Sequence, residues 1–203
     1  TLDMEFLAYH GAETLLEIAR YWASTTTYNP GLDRYEILGV MGPDEYHEAY
    51  PGADNPGLNN NAYTNLMAVW VLCRALDTLE LMSDYRSREI CKAINLTQEE
   101  LQHWRNVSTK MRVAFNEEGI ISQFEGYEDL QELDWQAYRE KYGDIHRLDR
   151  ILEAEGDSAN RYKLSKQADL LMLFYLLSAD EVTELLNRLG YSFDAENIPQ
   201  HLE

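Results

Sequence analysis

Asp44 and Glu45 are the residues whose type and setting point to chemistry. They lie in Gly39-Val40-Met41-Gly42-Pro43-Asp44-Glu45-Tyr46-His47-Glu48, after a Gly-Pro turn former and just before an imidazole. The amide-rich stretch Asn59-Asn60-Asn61-Ala62-Tyr63-Thr64-Asn65 follows. A second polar group, Lys163-Leu164-Ser165-Lys166-Gln167-Ala168-Asp169, directly precedes an apolar run. Cleaving a glycosidic bond needs a proton for the leaving oxygen and a nucleophile at the anomeric carbon, and hydrolases usually employ two carboxylates for this. An inverting phosphorylase needs one acid, because phosphate is the nucleophile. Asp44-Glu45 fits the one-acid design. Adjacent residues in extended or turned backbone point different ways, so one carboxylate can face a sugar while the other braces the loop. A tight loop near buried aromatics is expected to raise a glutamate pKa, as a general acid requires. Lys166 and Gln167 carry donors suited to sugar hydroxyls.

Plainer readings stand beside this one. In a chain with 36 acidic residues, an Asp-Glu pair reads first as a solvated turn. Asp44, Glu45, His47 and Glu48 are metal-ligand types, but their spacing matches no standard zinc or calcium loop, so no metal is expected. Lys163, Lys166 and Gln167 also read as the solvated first turn of a helix, although lysine is disfavoured at that end of the helix dipole.

The 203 residues are enough for one ordinary domain, and 45% are apolar. The net charge of -19, from 17 basic and 36 acidic residues, repels phosphate backbones and anionic lipid surfaces. Nucleic acid and membrane are therefore excluded as expected partners. No apolar run approaches the roughly 20 residues of a membrane span. The acidic start, Thr1-Leu2-Asp3-Met4-Glu5, has no basic region of a signal peptide and enters helical periodicity almost at once. It reads as a chain cut from something longer. Two cysteines, Cys73 in an apolar run and Cys91, form no dense framework, and a reducing, cytoplasmic setting is expected.

The elements that must position these groups are mostly helices. The spacing predicts a helix over 2–26, closed by Asn29-Pro30-Gly31, and a β-prone arm of a hairpin over Tyr35–Val40. Residues 50–61 read as a loop, with Asn59–Asn61 supplying an N-cap. The helix over 62–83 is apolar on every side from Leu66 to Cys73, so it is expected to be buried on all faces. One or two helical turns follow at 86–94. Thr97-Gln98-Glu99-Glu100 is a capping box that opens a helix to about Ala114. Residues 119–126 are extended, and weak helical periodicity marks 134–142 and 145–154. Helices are predicted over 163–178, again apolar all round in its second half, and over 178–189, stopped by Gly190. Buried helices alternating with half-exposed ones need a second layer. The expected class is all-α, part of an α/α toroid with short β-hairpins in the connecting loops.

MGPDEYHE, then NNAYTN, then KLSKQAD before an apolar helix, closely resemble the central catalytic domain of glycoside hydrolase family 65. Gly11-Ala12-Glu13, Phe124-Glu125-Gly126-Tyr127 and Arg147-Leu148-Asp149-Arg150-Ile151-Leu152 extend the resemblance over essentially the whole chain. It implies residues 1–203 as part of an (α/α)6 barrel, its C-terminal part, in a longer enzyme. It also implies an inverting phosphorylase of maltose-, kojibiose- or trehalose-like α-glucosides, or an α-glucoside hydrolase of the same family. Glu45 matches the general acid, and Lys166 and Gln167 match contacts to the glucose next to the scissile bond. Asp44 and His47 belong to the same substrate site, and with Tyr46, Asn61, Tyr63 and Asn65 they brace it. No cofactor is implied beyond inorganic phosphate as co-substrate. The phosphate-binding His-Gly-Ser-Ser type motif would follow His201-Leu202-Glu203. The loop Ala49–Leu58 departs from the familiar maltose phosphorylases by its length and borders the acid. A fragment of a toroid would expose inner helices and is expected to self-associate, as in a homodimer, and to be inactive alone. The competing class is a helical interaction module with an apolar groove and no active site, which would bind no glucose.

Overall fold

Helix formation starts close to where the apolar spacing starts. In the computed structural model, which describes residues 3–193, Asp3 caps α1 (Met4–Phe6) by accepting from the Phe6 N–H at 2.9 Å. A π-helical turn, Leu7–Gly11, leads on into α2 (Ala12–Ser24). Leu2 and His201–Glu203 lie outside the described residues. The helix ends at Ser24, short of residue 26. The hydroxyls of Thr25 and Thr26 donate to the last helical carbonyls, Trp22 O and Ala23 O, each at 2.8 Å. The β-branched threonines then enter strand β1 (Thr26–Asn29). It pairs antiparallel with β2 (Arg34–Ile37), Thr26 opposite Ile37 and Asn29 opposite Arg34. The hairpin arm foreseen from Tyr35 therefore finds its partner in residues read as a helix end.

Helix α3 (Ala62–Leu81) is the centre of the fold. The Asn61 side chain caps it by accepting from the Thr64 N–H at 2.9 Å. α3 packs against α2, α5 and α8, and more lightly on α4 and α9. From Leu66 to Cys73 each residue is buried or half-buried, as expected of a helix apolar all round. Ser83 caps α4 (Asp84–Ala93), and the Thr97–Glu100 capping box opens α5 (Gln98–Lys110). α5 stops before Ala114, because the Arg112 N–H is used by Tyr35 O, which ties the chain beside β2. The main core gathers Leu16, Leu66, Val69, Leu72, Trp104, Val107, Leu173 and Leu186. Each such side chain contributes roughly 1.5–3 kcal/mol of burial.

Two short helices, α6 (Trp135–Tyr142) and α7 (Leu148–Ala154), hold a second cluster of Leu133, Leu148, Leu152, Ala159 and Leu164. The helix expected over 163–178 is much shorter: α8 runs from Asp169 to Leu176. Residues 163–168 are not helical, because their N–H groups are taken elsewhere. The Lys163 N–H donates to Gln131 O, and those of Lys166 and Gln167 donate to a side chain described below. Nor is α8 buried on every face. Leu171 and Leu176 are exposed and Tyr175 is 88% exposed, on faces turned away from α3 and α9, its main helix neighbours. A second capping box, Ser178 with Glu181, opens α9 (Ala179–Arg188). The described chain is thus mostly helical with one small two-stranded sheet.

Candidate active site

The loop between β2 and α3 is held from behind before it presents anything in front. Val40 and Leu58 exchange backbone hydrogen bonds, N–H to O at 2.9 and 2.7 Å, which closes residues 41–57 into one excursion. Gly57, at φ +115°, lets the backbone pass Gly39 where a Cβ would lie 2.7 Å from main-chain atoms. At the far end, Asn160 Oδ1 accepts from the N–H groups of Glu48 and Ala49 at 2.9 and 3.3 Å.

Asp44 turns inward and is only 6% exposed. Its Oδ1 accepts from the N–H groups of Lys166 (2.9 Å), Tyr46 (3.2 Å) and Gln167 (3.3 Å). Its Oδ2 faces His47 Nδ1 at 2.9 Å. Burial would raise the pKa of this carboxyl, but the hydrogen bonds from His47 and from the Lys166 and Tyr46 backbone prevail and hold it below the ordinary value. His47 is 2% exposed, its Nε2 is 2.9 Å from Tyr162 O, and its ring meets Phe124 edge-on with centroids 5.2 Å apart. Each ring nitrogen thus faces a protein oxygen, Asp44 Oδ2 on one side and Tyr162 O on the other. The Asp44–His47 pair is therefore a buried, fully hydrogen-bonded brace that ties two loops 122 residues apart.

Glu45 turns the other way and its side chain is 60% exposed. Its Oε2 is 2.5 Å from Lys166 Nζ, and its Oε1 accepts from Gln167 Nε2 at 2.9 Å. Gln167 Oε1 in turn accepts from the Glu45 N–H at 3.2 Å. The structure corrects the expected direction of the Glu45 pKa. The hydrogen bonds from Lys166 and then Gln167 lower it, and exposure leaves little burial to oppose them. The sequence-predicted Asp44, Glu45, His47, Lys166 and Gln167 are thus all brought into one cluster. Asn61 and Asn65 stand beneath it, capping and bracing the start of α3. Among the described residues, no group of three or more His, Cys, Asp or Glu side chains converges as a metal site.

Asp169 belongs to the same cluster, and the reading of the sequence assigned it no role of its own. It is 2% exposed, Oδ2 accepts from Asn61 Nδ2 at 2.8 Å, and Oδ1 is buried with no hydrogen-bond partner. Burial raises its pKa from 3.8 to about 6, with Asn61 opposing and the Asp44 charge adding. Gly42 permits this approach: a Cβ there would lie 2.0 Å from Asp169 Oδ2 and 2.4 Å from Asn61 Nδ2. A signal was present in the sequence, a carboxylate heading an otherwise apolar helix beside Lys166-Gln167.

The arrangement offers an open carboxylate, two donors set against it and a rigid buried brace. Cys73 is a buried free thiol and Cys91 a half-buried one, both remote in role from this cluster. No helix among the described residues is long and apolar enough to cross a membrane.

The chain is 53% identical over 199 residues to an uncharacterized glycosyl hydrolase of Mycobacterium tuberculosis (strain H37Rv), covering 98% of this chain and 15% of that protein. It is 41% identical to a trehalose 6-phosphate phosphorylase of Lactococcus lactis, over 94% of this chain and 23% of the relative. It is also 41% identical to a kojibiose phosphorylase of Halothermothrix orenii, over 98% and 24%. It thus spans a quarter or less of these relatives' lengths. Among solved structures, a putative kojibiose phosphorylase from human microbiome shares the fold with a TM-score of 0.67 at 24% identity, over 93% of this chain and 25% of that one. The model of the glycosyl hydrolase family 65 central catalytic domain matches residues 1–203, and the chain belongs to that family.

Proposed function

We propose that this chain is the acid-bearing part of an inverting α-glucosyl disaccharide phosphorylase, with Glu45 as general acid. The observation that carries the reading is the convergence of Lys166 and Gln167 on the exposed Glu45 carboxylate, above a brace that is wholly buried. Phosphorylase relatives of two substrate classes support it. Maltose-, kojibiose- and trehalose-like substrates all remain within this reading, and the setting is read as cytoplasmic. We read residues 1–203 as part of an (α/α)6 toroid whose other helices would cover the open face of α8. Lys166, Gln167, Asp44 and His47 are its substrate-site residues, the last two acting from below.

In the resting cluster Lys166 and Gln167 hold Glu45 ionised. A glucosyl group entering between them takes over these donors with its hydroxyls. Glu45 then loses the partners that lower its pKa, while the sugar excludes water, and both changes favour the protonated acid. Glu45 gives its proton to the glycosidic oxygen as the bond from that oxygen to the anomeric carbon breaks. Inorganic phosphate, the co-substrate, attacks the opposite face of that carbon and forms the new C–O bond with inversion. Asp44 keeps the Lys166-Gln167 backbone in register with Glu45 throughout.

The test is the Glu45→Gln variant of the complete enzyme. Its kcat on a natural disaccharide should fall by about 10²–10⁴-fold, with glucose binding and melting temperature retained. Near-normal turnover would remove Glu45 from the mechanism. A hydrolase reading uses the same acid and is favoured by the mycobacterial relative being a glycosyl hydrolase by name. Product analysis separates the two: phosphate-dependent release of glucose 1-phosphate is expected, and free glucose alone would mean water is the nucleophile.

A further inference from the structure

The segment that carries Lys166 and Gln167 is held at three points. At its start, the Lys163 N–H donates to Gln131 O at 2.8 Å. In its middle, the Lys166 and Gln167 N–H groups donate to Asp44 Oδ1. Its end is Asp169, the first residue of α8, a helix that begins with no side-chain cap. Asp169 Oδ2 accepts from Asn61 Nδ2 at 2.8 Å, and Asn61 Oδ1 caps α3. The same Oδ2 lies against Gly42, two residues before Asp44, where a Cβ would meet it at 2.0 Å. Asp169 is therefore the point where α8, α3 and the loop between β2 and α3 meet.

Two buried carboxyls share this junction, and they are provided for differently. Asp44 accepts from three backbone N–H groups on one oxygen and faces His47 with the other. Charge-assisted hydrogen bonds of this kind keep a buried carboxylate ionised. Asp169 is 2% exposed, and its Oδ1 has no hydrogen-bond partner. A buried carboxylate left under-bonded is costly, and the neutral acid in the same place costs much less. Neighbouring carboxyls in unlike settings take opposite protonation states. The groups facing Asp169 agree with this. From the loop, the Asp44 charge raises its pKa, while the Asp44 backbone and His47 lower it. From α3 comes the neutral Asn61 amide, which lowers it, and on its own segment the Lys166 ammonium is turned to Glu45. Burial outweighs these and leaves the value at about 6.

We propose that Asp169 is a positioning residue that works as a neutral acid: with its proton on Oδ1 it keeps Lys166 and Gln167 in register with Glu45, and ionising it releases that register. The proposal rests on these three residues forming the glucose site. An Asp169 carboxylate would repel the Asp44 carboxylate, which holds the Lys166 and Gln167 N–H groups. Because the folded pKa is raised, the competent form is present below about 6 and is lost as pH rises through that value.

The experiment uses the complete enzyme. In the Glu45→Gln background, which removes titration at that position, calorimetry follows glucose binding from pH 5.5 to 7.5. The Kd should rise by about tenfold or more over this range, since only the protonated fraction binds in register. In Glu45→Gln/Asp169→Asn the amide imitates the neutral acid, and the rise should vanish. With Glu45 restored, Asp169→Ala should lower kcat by up to about 10²-fold, and Asp169→Asn should recover most of that loss at pH 7.5. Infrared spectra of the unsubstituted enzyme should show a protonated-carboxyl band at pH 5.5 that is gone at pH 7.5. Melting curves check that each variant folds, and the infrared band tests the proposal without any variant. Parallel pH dependences with and without Asp169→Asn, or no such band, overturn the proposal and leave Glu45 as the acid. Near-normal turnover of Glu45→Gln removes the acid assignment alone. No glucose binding at any pH overturns both the glucose site and the register that Asp169 keeps.

Discussion

Two carboxylates at the site, Asp44 and Asp169, are buried within one hydrogen-bonded cluster and respond oppositely to pH. The pKa of Asp44 is lowered, because the hydrogen bonds from His47 and backbone N–H groups outweigh burial. Its stabilising contribution is therefore present above the unfolded value near 3.8 and is lost as pH falls through the lower folded value. Asp169 is raised to about 6 by burial that Asn61 only partly offsets. Its contribution is full below about 3.8 and is lost as pH rises through about 6. A rise from 3.8 to about 6 corresponds to roughly 3 kcal/mol between those limits. We therefore expect stability to fall between pH 4 and 6.5 in the wild type relative to Asp169→Asn, which keeps the shape and removes the titration. Melting curves of both proteins across that window check it, and parallel pH dependences would show that Asp169 ionises normally. Asp44→Asn should also destabilise, by roughly 1–3 kcal/mol, because its amide replaces a carboxylate oxygen that faces His47 Nδ1 in a buried site.

At the scale of elements, the approach of the loop between β2 and α3 to the start of α8 depends on a missing side chain. Gly42→Ala would drive a Cβ into Asp169 and Asn61, with contacts of 2.0 and 2.4 Å. Overpacking of this kind costs about 1–3 kcal/mol, and the loop carrying Glu45 must shift. Chemical denaturation should show the loss, and Gly42→Ala/Asp169→Ala should recover part of it; no recovery would place the strain elsewhere. The caps are the best control for ordinary helix energetics. Ser178→Ala removes the acceptor for the Glu181 N–H and should cost about 1 kcal/mol without touching the site. Caps of this kind are readable from Thr97–Glu100 and Asn61, because they are local hydrogen bonds within four residues. The extent of α8 is not. Lys163–Ala168 has helical periodicity, but its N–H groups are claimed by Gln131 and Asp44, partners far away in the chain.

For the whole molecule, exposed apolar side chains and net charge pull in opposite directions. Phe6, Tyr9 and Tyr21 near α2, and Tyr175 on α8, are exposed. Faces like these favour association, while a charge of -19 opposes it through a field that salt screens. The 203-residue chain should therefore self-associate, and more so at 0.5 M salt than at 0.05 M. Light scattering at both salts measures this, and a monomer at high concentration under both conditions would sink the expectation.

The amino-acid sequence by itself determined the helical class, the central buried helix, the helix caps and which residues to expect in the candidate site. These follow from periodicity, local hydrogen-bond chemistry and motif order, which are properties of neighbours along the chain. Only the tertiary structure decided what those residues do to one another. It turned Asp44 inward and Glu45 outward, and it placed Lys166 against Glu45 so that its pKa falls when burial was expected to raise it. It also raised Asp169 through burial. Solvent exposure and charge partners more than a hundred residues apart fix those properties, and neither is encoded in local spacing.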